Sequence, residues 1–196
     1  MADQYEANLL GAVSWSFEFE DQPWFAGFRD LATNGVDKPV LNVFRMYGMM
    51  KGKRVEIVGN RMYSVQEILA TSVRGQTDIG GLASRDDRSA CIMIWNYHDD
   101  DRQAVAEPIR VTMNGLPSGA VTVTHYRIDQ EHSNSYEAWK KMGSPQQPTK
   151  AQIEKLENSG HLKTLGKPER KVVTAGGLAL DITLPRQGVS LLKFDW

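Results

Sequence analysis

From Lys53 onward the sequence breaks into short apolar runs divided by turn-forming pairs, and this texture leaves few folds open. Val55 and Ile57 alternate with charged neighbours. Ile79 to Ser84, Ala90 to Tyr97, Ile109 to Met113 and Val121 to Tyr126 read as strands, divided by Asp86-Asp87, by His98 to Asp101 and by Asn114-Gly115. Further on, Leu178, Leu180, Ile182 and Leu184 alternate with Ala179, Asp181 and Thr183, and Val189 to Phe194 forms a last strand. The run Cys91 to Trp95 is apolar on both faces, which places it in the middle of a sheet. So many short strands with tight turns predict a mainly β fold, an antiparallel β-sandwich.

Two stretches break this texture. Ser64 to Glu67 is a capping box that opens one short helix through Ala70. Between about Asp129 and Pro168 the period turns helical: Asn134 to Glu137 and Thr149 to Gln152 read as N-terminal caps of two short helices, with Gly143-Ser-Pro145 and Pro148 between them. An insertion of this length inside a compact domain has a specific role.

The first fifty residues are organised differently. Tyr5, Leu9 and Leu10 have the spacing of a helix end, Gly11 stops it, and Ala12 to Phe17 follows as a strand. An acidic loop with Glu18, Glu20 and Asp21 comes next, then the aromatics Trp24, Phe25 and Phe28, then a turn at Asn34-Gly35. Asp37 before Pro39 marks a helix start, and Val40, Val43, Phe44, Tyr47 and Met50 share one face of that helix.

Charge narrows the partners. The net charge of -1, without Lys/Arg-rich blocks, gives no footprint for nucleic acid or an anionic membrane. No run reaches the roughly 18 apolar residues of a membrane span, and the first residues lack a signal-peptide pattern, so a chain starting at Met1 is expected in the cytoplasm. The single cysteine, Cys91, sits in an apolar strand and reads as a core residue. No metal or cofactor is expected. His98 to Asp101 lacks the alternation of a Ca²⁺ loop and reads as a charged hairpin tip. His125, Asp129, Glu131 and His132 read as a polar network pinning the insertion. Trp95 reads as core, and Trp139 with Met142 as the insertion's packing face.

Several segments carry a family likeness. WSFEFEDQPWFAGFRDLATNGVDKPVLNVFRM, IWNYHDDD, THYRIDQEHSNSYEAWKKMGSPQQPT and LPRQGVSLLKFDW together resemble the C-terminal third of glycoside hydrolase family 39, the β-xylosidases and α-L-iduronidases. The resemblance implies a (β/α)8 barrel followed by a β-sandwich. Residues 1–51 would be the last helix-strand-helix unit of the barrel, and residues 52–196 the sandwich with its helical insertion at about 129–168. It also implies retaining hydrolysis by two glutamates about 5 to 5.5 Å apart. Neither is matched here, because the chain contains no Asn-Glu-Pro and no Thr-Glu strand end.

What the resemblance carries over is the end of the eighth barrel strand, which faces substrate in such barrels. Trp15 would belong to the sugar platform, and Glu18, Glu20 and Asp21 would accept hydrogen bonds from pentose hydroxyls. Spacing leaves open which acid points inward. Glu18 and Glu20 cannot form a catalytic pair of their own: residues two apart on a strand lie about 6.5 to 7 Å apart and point the same way. The expected function is the C-terminal part of a retaining β-xylosidase, acting on a xylose-type sugar with the rest of the barrel present and inactive alone. A stand-alone carbohydrate-binding module using Trp95 or Trp139 is the alternative. The insertion and the exposed barrel segment are the surfaces on which a homo-oligomer would form.

Overall fold

A computed structural model describes residues 22–27, 30–102 and 104–196. The expected helix before Gly11, the strand Ala12 to Phe17, and the residues Trp15, Glu18, Glu20, Asp21 and Phe28 lie outside the described residues. In chain order the elements are β1 (Ala32–Thr33), β2 (Val36–Asp37), α1 (Pro39–Met49), β3 (Lys53–Val55), α2 (Val65–Thr71), β4 (Asp78–Arg85), β5 (Ser89–Tyr97), β6 (Glu107–Asn114) and β7 (Gly119–Ile128). There follow α3 (Ser135–Lys141), α4 (Lys150–Gly160), β8 (Glu169–Val173), β9 (Gly177–Leu184) and β10 (Gly188–Asp195).

The fold is mainly β and its strand pairs are antiparallel. One sheet has the order β3-β4-β5-β10-β7-β8, and β6 pairs with β9 in a separate two-stranded ribbon. Period-2 alternation sorts the side chains of the central strands to opposite faces. Ala90 and Ile94 of β5 and Leu192 and Phe194 of β10 pack with Val111 of β6 and Leu184 of β9, so the ribbon covers one face. Cys91 and Met93 of β5 and Leu191 of β10 pack with Met46 of α1, which covers the other. The central position expected of Cys91 to Trp95 is observed, with an apolar cluster on each side. Phe194, Leu191, Leu192 and Met93 are almost wholly buried, each worth about 1.5 to 3 kcal/mol of burial.

Local signals account for the short helices. Ser64 and Glu67 complete the capping box of α2, Thr149 and Gln152 that of α4, and the Asn134 side chain caps α3. Asn34 and Gly35, both with positive φ, make the two-residue turn joining β1 to β2.

The structure departs from the sequence pattern in four places. Asp37 is not the cap of α1: it lies in β2, and the N-cap position belongs to Lys38, which makes no side-chain cap bond. The apolar stripe of α1 is divided, with Val43 and Met50 packed against the cluster that holds Met46. Asn42 and Met46 are buried, while Val40, Phe44 and Tyr47 are 43%, 45% and 46% exposed. The reason is polar: the Asn42 amide donates to the carbonyls of Ser133 (3.0 Å) and Gly160 (2.6 Å), which draws that side of the helix onto the insertion. Finally, β8 was not anticipated, and β3 ends before Ile57.

Candidate functional site

The described chain resumes at Gln22, directly after the acidic stretch, and the turn that follows is heavily tied down. The Ala26 amide donates to Pro23 O (3.1 Å), and the Phe25 amide donates to Thr33 Oγ1 (3.0 Å), Thr33 being buried. Asn34 Nδ2 donates to Gln22 O (3.3 Å), and Lys38 Nζ to Gly27 O (2.9 Å), with the Asp30 carboxylate 3.9 Å from the same ammonium. Lys38 and Asp30 are both buried, so each charge is kept in a low-dielectric setting by its partners. A Cβ at Gly27 would fall 1.4 Å from Asp30 Oδ2, so a larger residue there would displace the Asp30 side chain. Phe25 has a left-handed φ of 59°, a strained geometry for an aromatic residue.

A segment more than a hundred residues further on holds the other side of this turn. The Phe25 ring lies 5.0 Å from Trp139 and 5.5 Å from Tyr136, and those two rings stack at 5.8 Å on α3. The Trp24 amide donates to Gln146 Oε1 (2.9 Å) and Gln146 Nε2 donates back to Trp24 O (3.5 Å). Trp139 Nε1 donates to Pro145 O (2.9 Å), and Lys140 Nζ sits 4.9 Å over the Tyr136 ring. Trp139 is thus a packing residue, as expected. Tyr136 and Gln146 were missed, and no local pattern betrays partners so distant in sequence.

The expected polar network is also present. His125 Nε2 lies 2.9 Å from Ser190 Oγ, which accepts from Arg127 Nε (2.9 Å); Arg127 Nη2 donates to Thr183 O (2.8 Å) and Nη1 faces Asp129 Oδ2 at 3.4 Å. Asp129 Oδ1 accepts from the amides of Glu131 and His132 and meets His132 Nδ1 at 2.8 Å, while Asn134 Nδ2 donates to Asp129 O (2.9 Å). Burial, helped by the Arg127 charge, pulls the His125 imidazole down to about 4, so it is neutral at pH 7. Burial raises the Asp129 carboxyl, but the Glu131 amide and His132 outweigh it and hold the group below the usual carboxylate range. The network joins β7, β9 and β10 to the start of the insertion; with Ser190 wholly buried it offers no nucleophile to solvent.

The remaining sequence candidates are occupied structurally. Trp95 Nε1 donates to Asp78 Oδ2 (2.9 Å), and the ring lies over Gly80, where a Cβ would be 2.6 Å from it. The acids after His98 cap turns: Asp99 accepts from the Val73 amide and the Tyr97 hydroxyl, and His98 Nδ1 accepts from the Asp100 amide. Among the described residues no group of three or more His, Cys, Asp or Glu is placed to hold a metal ion. Burial pushes the Cys91 thiol up to about 11, leaving it inert. Among the described residues no helix is long and apolar enough to cross a membrane.

The profile of Glycosyl hydrolases family 39 matches residues 2–175, and the chain belongs to that family. It is 27% identical over 162 residues to a β-xylosidase of Caldicellulosiruptor saccharolyticus, covering 79% of this chain and 30% of that protein. It is 21% identical over 183 residues to a β-xylosidase of Geobacillus stearothermophilus, covering 91% of this chain and 32% of that protein. The fold is similar to the crystal structure of a monomeric β-xylosidase from Caulobacter crescentus CB15, with a TM-score of 0.70 at 17% identity over 86% of this chain and 33% of that one. The chain therefore spans about a third of the length of the relatives it matches.

Proposed function

We propose that this chain is the C-terminal part of a retaining β-xylosidase, in which residues 1–51 complete a (β/α)8 barrel and residues 52–196 form the accessory β-sandwich. Trp15 and the acids Glu18, Glu20 and Asp21 would make one wall of the sugar site, and the two reacting glutamates would belong to the portion of the enzyme outside this chain. The observation that carries the reading is α1. The helix has two apolar sides, one closed on the sheet through Met46 and the other, Val40, Phe44 and Tyr47, turned to solvent. That is the form of a helix lying between two bodies. Family membership and the one-third coverage of the β-xylosidases point the same way. The module alternative has less support, since Trp95 and Trp139 each have their indole N–H committed and their rings packed.

The test is to assay nitrophenol release from 4-nitrophenyl β-D-xyloside by this chain alone and by a chimera. In the chimera the part of the C. saccharolyticus β-xylosidase outside the match precedes this chain. The expected result is an inactive chain and an active chimera. Turnover by the isolated chain that disappears with Glu18→Gln or Glu20→Gln would sink the proposal.

A further inference from the structure

The turn at Trp24 and Phe25 is built in a way that simple packing does not require. Phe25, Tyr136 and Trp139 form a cluster at 5.0 to 5.8 Å, each ring using its neighbours. Trp24 stands at the margin: among the described residues the only ring it meets is Phe25, at 6.4 Å and tilted by 43°. Yet Trp24 is the residue whose backbone is gripped on both sides by Gln146, a side chain 122 positions away. The left-handed φ of Phe25 turns the chain so that Phe25 enters the cluster while its predecessor stays at the rim. Strain of this kind persists where surrounding structure over-determines it, and it gathers at ligand sites. A pyranose offers an apolar C–H face edged by hydroxyls, and a fixed, half-buried aromatic ring with polar groups beside it is the usual complement to such a face.

The geometry points to Trp24 as a specificity-determining residue that stacks on a xylopyranose ring, with Gln146 and the α3 aromatics as its positioning residues. The inference deepens the hydrolase reading and rests on it for the identity of the sugar. It assigns to the insertion a task at the sugar site: α3 and Gln146 fix the place of Trp24, so changes far away in sequence tune sugar affinity. Every residue of this clasp lies in the present chain, so the ring is presented without the rest of the enzyme.

The experiment is titration of the 196-residue chain with xylotriose, following the indole N–H signal of Trp24 by NMR. A saturable shift of that signal is expected. Trp24→Ala weakens binding by about tenfold or more, the usual result of truncating an aromatic anchor, and Trp24→Tyr retains most of it. Gln146→Ala weakens binding by a smaller factor with the ring still present, and Val172→Ala, on an exposed strand position, leaves affinity unchanged. A Trp24 signal unmoved by xylotriose, or a Trp24→Ala chain that binds as tightly as its parent, overturns the inference. The two proposals fail separately. An inactive chimera whose chain still binds xylotriose at Trp24 removes only the hydrolase reading, whereas an active chimera with the same KM after Trp24→Ala removes only the stacking residue.

Discussion

Helices α1 and α4 are both 11 residues long, and their construction is opposite. Helix α4 has a complete capping box, buries Leu156 and Gly160, and turns Glu154, Lys155 and Glu157 to water. Helix α1 has no side-chain cap, buries Asn42 and Met46, and exposes Val40, Phe44 and Tyr47. The first carries its own signals and needs one neighbour. The second derives its stability from what lies against it, and half of that surface is still open.

The sharpest way to break this contrast is Met46→Ala. Met46 is fully buried against Cys91, Met93 and Leu191, and its truncation should cost about 2 to 5 kcal/mol in urea unfolding. Asn42→Ala follows at about 1 to 3 kcal/mol, because the Ser133 and Gly160 carbonyls lose their donor inside the protein. On the insertion side, Thr149→Ala should cost about 1 kcal/mol through the lost cap, a loss for which α1 has no equivalent. The anchorage of the insertion should also respond to acid. His125 binds a proton near 6.5 when unfolded but only near 4 when folded, so stability is full above the unfolded value and falls as pH drops from about 6.5 to 4. Thermal midpoints of the parent and His125→Gln across that range should diverge at the neutral end and converge toward pH 4. The smallest effect belongs to Phe44→Ser, within about 0.5 kcal/mol in the isolated chain. A loss as large as that of Met46→Ala would mean that the outward side of α1 is already covered.

Much of the β unit was legible because alternation and turn pairs are local properties. Leu178 to Leu184 announces its period in its own sequence, and the caps at Ser64, Asn134 and Thr149 were found where their side chains allow. Strand β8 was not, since Glu169-Arg-Lys-Val-Val173 is charged for most of its length, lies at a sheet edge and buries only Val173 in the core. Periodicity found the apolar stripe of α1 but could not say which side the rest of the chain would cover. That was decided by one asparagine bonding to carbonyls some ninety and more positions away. The clasp on Trp24 was invisible for the same reason. The acids proposed for the sugar wall were chosen by family likeness and lie outside the described residues.

The sheet order has a temporal consequence. Strand β10 lies between β5 and β7, although it follows both by some sixty residues or more. During synthesis β4 and β5 emerge as one hairpin, and β7 and β8, joined through the helical insertion, as a second antiparallel pair, each with an unfilled edge. Only when β10 leaves the ribosome can it zip the halves together, so a nascent chain stalled before Gly188 would present two sticky borders to chaperones and to its neighbours on the polysome.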